Sequence, residues 1–360
     1  MKTTTSVIAT MVLASSFLNG QGSLTPPAGV PGPVMKTLDQ VEARIPLVAG
    51  QAGVAVDGAG TITISQPGSY YLTANLVITT ANADGIVINS DDVTLDLNGF
   101  ALICTSVNGG EAIFYNSRRG ITIRNGRIVG GTTQTGGVFT PAGWIDGIDG
   151  NTLTGATARV SDVTVRGIRA IGITLGSSTM AVVERCSVDT CGTTGILAGS
   201  VLDSAVRNAG GIAIFVEYAG EILSGTVQNC FGGSVGSGAG ISAQRATVSN
   251  SRGVSESGDG LTAAQAINCA GISNSGSGLE ATTASNCQGT SGSGIGLAAV
   301  NATNCYGLSI SGAYGMSISG TASFCQGTRS GGIAISAGIA IGCTTGGGTI
   351  NSSQKHLGTP

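Results

Sequence analysis

Histidine is almost missing from this chain: the only one among 360 residues is His356. Any mechanism that needs imidazole as base, as partner of a nucleophile or as metal ligand is therefore excluded from the first 355 residues. Charge is scarce as well, at 10% of residues. With 16 Lys and Arg against 19 Asp and Glu the net charge is −3, so nothing draws the chain to nucleic acid or anionic lipid. Aromatic residues make up 4%, with a single tryptophan. So little charge would read as disorder in a polar chain, but 41% of the residues are hydrophobic. Long apolar runs are absent too. The run Val7–Leu18 is too short to span a bilayer. With Lys2 ahead of it and small residues around Gly20–Ser23, it reads as a secretory signal over residues 1–22. The expectation is a secreted, cell-surface or periplasmic protein with no membrane span after signal removal.

What the chain does have is glycine, 61 residues of it, and a repeat. Cysteines fall at 269, 287, 305, 325 and 343, at intervals of 18, 18, 20 and 18, and asparagine precedes the first three. A fixed period near 20 residues is that of a solenoid whose coils bury their apolar faces only by stacking. Within each repeat, apolar and small polar residues alternate, as in Gly315-Met316-Ser317-Ile318, which is the period of a strand. Within the repeats no window of a dozen residues shows the 3.6 period of a helix, and leucines are too sparse for a leucine-rich repeat. The reading is all-β: a parallel β-helix of roughly twelve coils, stacked at about 4.8 Å.

Stacking gives the Asn-Cys pairs a meaning. Asn229, Asn250, Asn268, Asn286 and Asn304 are expected above one another at a turn, their amides bonded along the column. The cysteines then form an inward column of small hydrophobes, and a line of single thiols does not converge on a metal ion. Directly stacked positions are too far apart for disulfides. Cys186 and Cys191 lie off the regular column and are left open for one.

Taken in order, residues 23–34 carry four prolines and read as an extended linker. An N-terminal cap follows over 35–60. In it, Thr37 and Gln40 make a capping box, Leu38, Val41 and Ile45 share a helical face, and Pro46 ends the short capping helix. The β-helix is expected over 61–350 and a polar tail over 351–360. Thr132–Gly150 breaks the pattern and reads as an insertion loop, the kind of segment that carries sites on a rigid scaffold.

Three segments, Met35-Lys36-Thr37-Leu38-Asp39-Gln40-Val41-Glu42, Ile64-Ser65-Gln66-Pro67-Gly68-Ser69-Tyr70-Tyr71-Leu72-Thr73 and Asp92-Val93-Thr94-Leu95-Asp96-Leu97-Asn98-Gly99, resemble secreted bacterial parallel β-helix proteins of the pectin-lyase-like superfamily. The resemblance implies a single-stranded right-handed parallel β-helix and export. It leaves activity open, because that superfamily includes lyases, hydrolases, epimerases, tailspikes and adhesins. Lyase relatives use calcium-binding carboxylates and a basic residue. Here Asp92 and Asp96 would share a side of a regular strand, with Arg124 about one coil later. Hydrolase relatives with a Gly-His-Gly motif are disfavoured by the missing histidine. A carboxylate pair remains conceivable in Asp146 and Asp149, with Trp144 beside them as a surface for a sugar ring. The plainer readings are that Asp92 ends a turn while Asp96 pairs with an arginine on the outer face, and that Asp146 and Asp149 are exposed aspartates of a loop turn. Two functions follow. The first is a non-catalytic surface, matrix or carbohydrate-binding element, a monomer with a polysaccharide or cell-surface glycan as partner and no cofactor. The second is a polysaccharide lyase or glycoside hydrolase, with calcium only under the lyase mechanism. From Phe231 to Ile350 only Arg245, Arg252, Glu256, Asp259, Glu280 and Arg329 are charged, which favours the first.

Overall fold

The computed structural model describes residues 44–151, 157–176, 178, 180–216 and 225–355. The chain divides at Ala43, and the described residues belong to the unit Arg44–Pro360. They form a parallel β-helix with no helical element: 32 strands join in one sheet system, and a separate antiparallel hairpin pairs Thr133–Thr135 with Val138–Thr140. The antiparallel pairing of Val54–Val56 with Ile62–Ile64 lies at the start, and the coils beyond it pair in parallel.

One column carries the core from end to end. Ile62, Ile86, Ile113 and Ile148 stack on successive coils, and the column continues to Leu279, Leu297, Met316 and Ile335. Burying each of these side chains contributes about 1.5–3 kcal/mol. In the first half a coil holds three short strands, such as Ile86–Ile88, Val93–Asp96 and Ala101–Cys104. Later the first two fuse into one bent strand, so a coil becomes Leu279–Ser285 followed by Gln288–Ser291. The cysteine spacing of 18 is this coil length, and the interval of 20 coincides with a register shift between Ala299 and Ala302.

The later coils are thin because glycine faces glycine across the interior. A Cβ on Gly289 would lie 2.1 Å from the carbonyl oxygen of Gly296, and one on Gly271 would lie 2.0 Å from that of Gly278. The two sheet backbones meet there with no room for a side chain.

Several boundaries differ from the expectation. The capping helix falls mostly outside the described residues, but its last positions do not continue it: Ile45–Pro46 is a strand paired with Tyr70–Tyr71. Sheet pairing outweighs local helical pattern once a partner strand is present. At the other end, Thr344–Lys355 is one strand stacked on Gln326–Ile341, so the expected polar tail joins the sheet as far as Lys355. Within Thr132–Gly150 the hairpin alone leaves the coil. Ile148–Asp149 pairs with neighbours on both sides, and Trp144 is fully buried. All nine cysteines are free and buried, Cys186 and Cys191 included.

Candidate functional site

Asp92 and Asp96 are not equivalent. Asp92 stands just before the strand Val93–Asp96 with φ of 56°, exposed at the turn, so the regular alternation assumed for the pair does not reach it. Asp96 is buried and ion-paired with Arg44 (3.0 Å) and Arg124 (3.3 Å). It also accepts hydrogen bonds from the Asn98 backbone N–H (2.8 Å) and the Asn125 amide (3.2 Å). Arg124 therefore reaches Asp96 by stacking, as the spacing implies. A carboxylate with four such partners ties three coils together, and that use leaves little of it for substrate.

The second pair is brought together, with a third member that the sequence did not reveal. One carboxylate oxygen each from Glu111, Asp146 and Asp149 lie within 4.8 Å of one another. Asp84, Glu111 and Asp146 occupy equivalent turn positions on consecutive coils, since Ile86, Ile113 and Ile148 two residues on are stacked partners. The aspartates here have a structural task. Asp84 accepts from the Glu111 N–H (2.9 Å), Asp146 from that of Ile171 (2.7 Å), and Asp259, farther along, from that of Ser277 (2.8 Å). Each Asp-Gly turn thus bonds the coil above. The Glu111 side chain is instead hydrogen-bonded to Asp84. Burial pushes its carboxyl up from 4.5 to about 7, with a hydrogen bond to Asp84 and the charges of Asp84 and Asp146 acting the same way. Burial also raises Asp146, and the charge of Asp149 adds to this, whereas the Ile171 N–H and the charge of Arg169 pull it down. A protonated carboxyl beside ionised ones is the arrangement that general acid–base chemistry uses. The three groups would also supply part of the six to eight oxygens that calcium takes.

Trp144 does not serve this cluster as a sugar platform. It is fully buried, and a Cβ on Gly85 would lie 3.2 Å from its ring, so it is a core residue seated under a glycine. Its ring has no exposed face to stack on a ligand.

The asparagine column is a second long regular feature. Every residue at that turn position, from Asn125 through Asp162, Arg185, Asp203 and the five repeat asparagines to Phe324 and Gly342, has φ between 47 and 60°. Asparagine recurs because it tolerates this left-handed conformation better than other side chains do. The expected ladder forms only in part: Asn268 donates to Asn250 (3.2 Å) and Asn229 to Asp203 (2.8 Å), and of the four neighbouring pairs among the five asparagines only Asn250 and Asn268 are bonded in this way. The next residue turns inward and closes the bend. The Cys287 thiol lies 3.2 Å from the Ser285 carbonyl oxygen and 3.3 Å from that of Ala266. Serine takes the same place at 204 and 251. Ser251 donates to the Ser249 carbonyl (2.7 Å) and accepts from the Cys230 N–H (3.0 Å), so this position calls for a small buried donor.

Beside the column the outward residues of the next strand, among them Phe231, Arg252, Gln288, Tyr306 and Gln326, form a second bank. Between the banks runs an open groove of about 1090 Å³ with the cysteines along its floor. Phe231 is held from one side by Arg207, whose guanidinium lies 5.0 Å from the ring centre. Phe324 is 66% exposed.

A second buried column went unread in the sequence. Ser255, Ser273, Ser291 and Ser309 are each almost fully buried and donate to the carbonyls of Gly238, Gly258, Gly276 and Gly294 at 2.6–2.7 Å. Three of them also accept the N–H of the glycine three residues on, at 2.7–2.9 Å. The signal was present as a repeated Ser-x-Ser-Gly, one per coil.

No family model and no curated protein matches the chain. Among solved structures, the A-module of mannuronan C-5 epimerase AlgE6 of Azotobacter vinelandii aligns at 12% identity and a TM-score of 0.36, covering 81% of this chain and 90% of that one. The ORF18 protein of Geobacillus virus E2 aligns at 12% identity and a TM-score of 0.34, covering 84% of this chain and 55% of that one. Likenesses this distant carry no argument about activity. Among the described residues, no helix is long and apolar enough to cross a membrane.

Proposed function

We propose that this chain is an exported, pectin-lyase-like β-helix that binds polysaccharide without cleaving it, and that the glycan lies along the asparagine groove. The observation that carries the reading is the groove itself. It crosses successive coils, and repeated amides line one bank while glutamines and aromatic rings line the other. Amides both donate and accept, which suits sugar hydroxyls, and aromatic faces suit the apolar faces of sugar rings. A glycan running along the coils would meet a similar set of groups at each step of about 4.8 Å. None of the groove residues forms a carboxylate cluster like that of Glu111, Asp146 and Asp149.

That carboxylate cluster supports a second reading, a lyase or hydrolase at the early coils. Glu111 raised to about 7 is its specific support. The test is depletion of the purified protein by a panel of polysaccharides, run alongside assays for unsaturated products and new reducing ends, with and without calcium. Binding without products supports the first reading. Products that vanish in the Asp146→Asn/Asp149→Asn variant establish the second.

A further inference from the structure

The groove discriminates among glycans by its lack of charge. We infer that its ligand is a neutral polysaccharide and that polyuronates are rejected; the inference rests on the groove reading above. Two charged side chains line the groove, Asp203 and Arg252. Asp203 is already engaged by the Asn229 amide at 2.8 Å; Arg252 is the one cation among the lining residues, and Arg207 beside it lies against the Phe231 ring. A polyuronate carries a carboxylate on every sugar. Seated along several coils, it would place most of those charges against amides and rings, where they lose water without gaining a counter-charge. Recognition of carboxylates calls for repeated arginine forks, and the positions where they would stand are Ala270, Gln288, Tyr306 and Gln326.

The amides suit hydroxyls in detail. Where Asn268 donates to Asn250, each amide spends one group on its neighbour. A primary amide has two N–H donors and an acceptor oxygen, so a donor and a lone pair remain on the exposed side. A sugar hydroxyl likewise donates and accepts, and the two sets can be mutually satisfied without ionisation. Tyr306 and Phe324 add ring surface next to the amides.

The experiment measures binding of the full chain to mixed-linkage β-glucan, galactomannan and dextran, and to alginate and polygalacturonate, by affinity electrophoresis and calorimetry. Two variants accompany it. Asn268→Gly/Asn286→Gly removes two amides and keeps the left-handed backbone, because glycine adopts positive φ without strain. Gln288→Lys/Gln326→Lys places two cations at exposed groove positions. Thermal melts establish that both variants are folded. The expected result is binding of at least one neutral glycan and of neither polyuronate, a loss of about tenfold or more in the glycine variant, and gained polyuronate binding in the lysine variant. Polyuronate binding that the glycine variant abolishes overturns the neutral preference while leaving the groove as a glycan site. Neutral-glycan binding unchanged in the glycine variant overturns the groove, and no binding to any glycan overturns both.

Discussion

Glu111 gives the protein a pH dependence that one substitution removes. Its carboxyl is raised from 4.5 to about 7, first by burial and then by the hydrogen bond and charge of Asp84. The folded chain therefore holds a proton that the unfolded chain releases above pH 4.5. Stability contributed by that proton is fully present below pH 4.5 and is lost as pH rises through 7. A shift of that size corresponds to about 3 kcal/mol at most, and because Glu111 is only partly buried the expected loss is about 1–2 kcal/mol after screening. Glu111→Gln stays neutral at every pH and keeps the backbone N–H that Asp84 accepts. The two proteins should match near pH 4, and the variant should be more stable by about 1–2 kcal/mol at pH 8. Urea unfolding at pH 4, 6 and 8 measures this. A stability difference that stays constant across that range would refute the reasoning, because it would mean that Glu111 titrates alike in the folded and unfolded chains.

Other outcomes follow from the columns. Gly289→Ala drives a Cβ to 2.1 Å from the Gly296 carbonyl oxygen and should cost about 1–3 kcal/mol or more in chemical unfolding; a change under about 0.5 kcal/mol would mean that the sheets separate freely. Phe324 holds a left-handed φ of 53° while 66% exposed, so Phe324→Asn should raise stability by about 1 kcal/mol, and a lowered melting temperature would contradict that. Ser291→Ala strands the Gly276 carbonyl and the Gly294 N–H and should cost about 1–3 kcal/mol, whereas Cys287→Ser should cost less, since Ser204 and Ser251 already fill that place. Burial pushes the Cys186 and Cys191 thiols up to about 12, and all nine thiols are buried away from reagent, so a disulfide exchange reagent should find none in the native chain and nine in denaturant; rapid reaction before unfolding would contradict the buried columns.

The parallel coil was legible because its period is written in chemistry that only stacking explains. The asparagine column was legible where asparagine recurs, but not where Arg185, Asp203 or Phe324 hold the same backbone conformation with unrelated side chains. Asp146 and Asp149 stood out as neighbours in sequence. Glu111 did not, because it joins them by stacking from the adjacent coil, with a hairpin inserted in the chain between, and no count of residues predicts that register. Trp144 misled for a physical reason: a lone tryptophan beside aspartates reads as a surface, yet Gly85 leaves the space that draws it into the core. The serine column was missed because buried serine needs a paired carbonyl, and that partner lies on another turn.

The most direct measurement of the central claim compares two variants on one neutral glycan that the full chain binds. Calorimetric isotherms are recorded for the unaltered chain, for Asn268→Gly/Asn286→Gly and for Asp146→Asn/Asp149→Asn, each shown to be folded. The groove account predicts affinity about tenfold weaker or worse for the glycine variant and unchanged affinity for the aspartate variant. The reverse pattern, with affinity lost at the carboxylates and kept at the asparagines, would contradict it and move the glycan to the early coils.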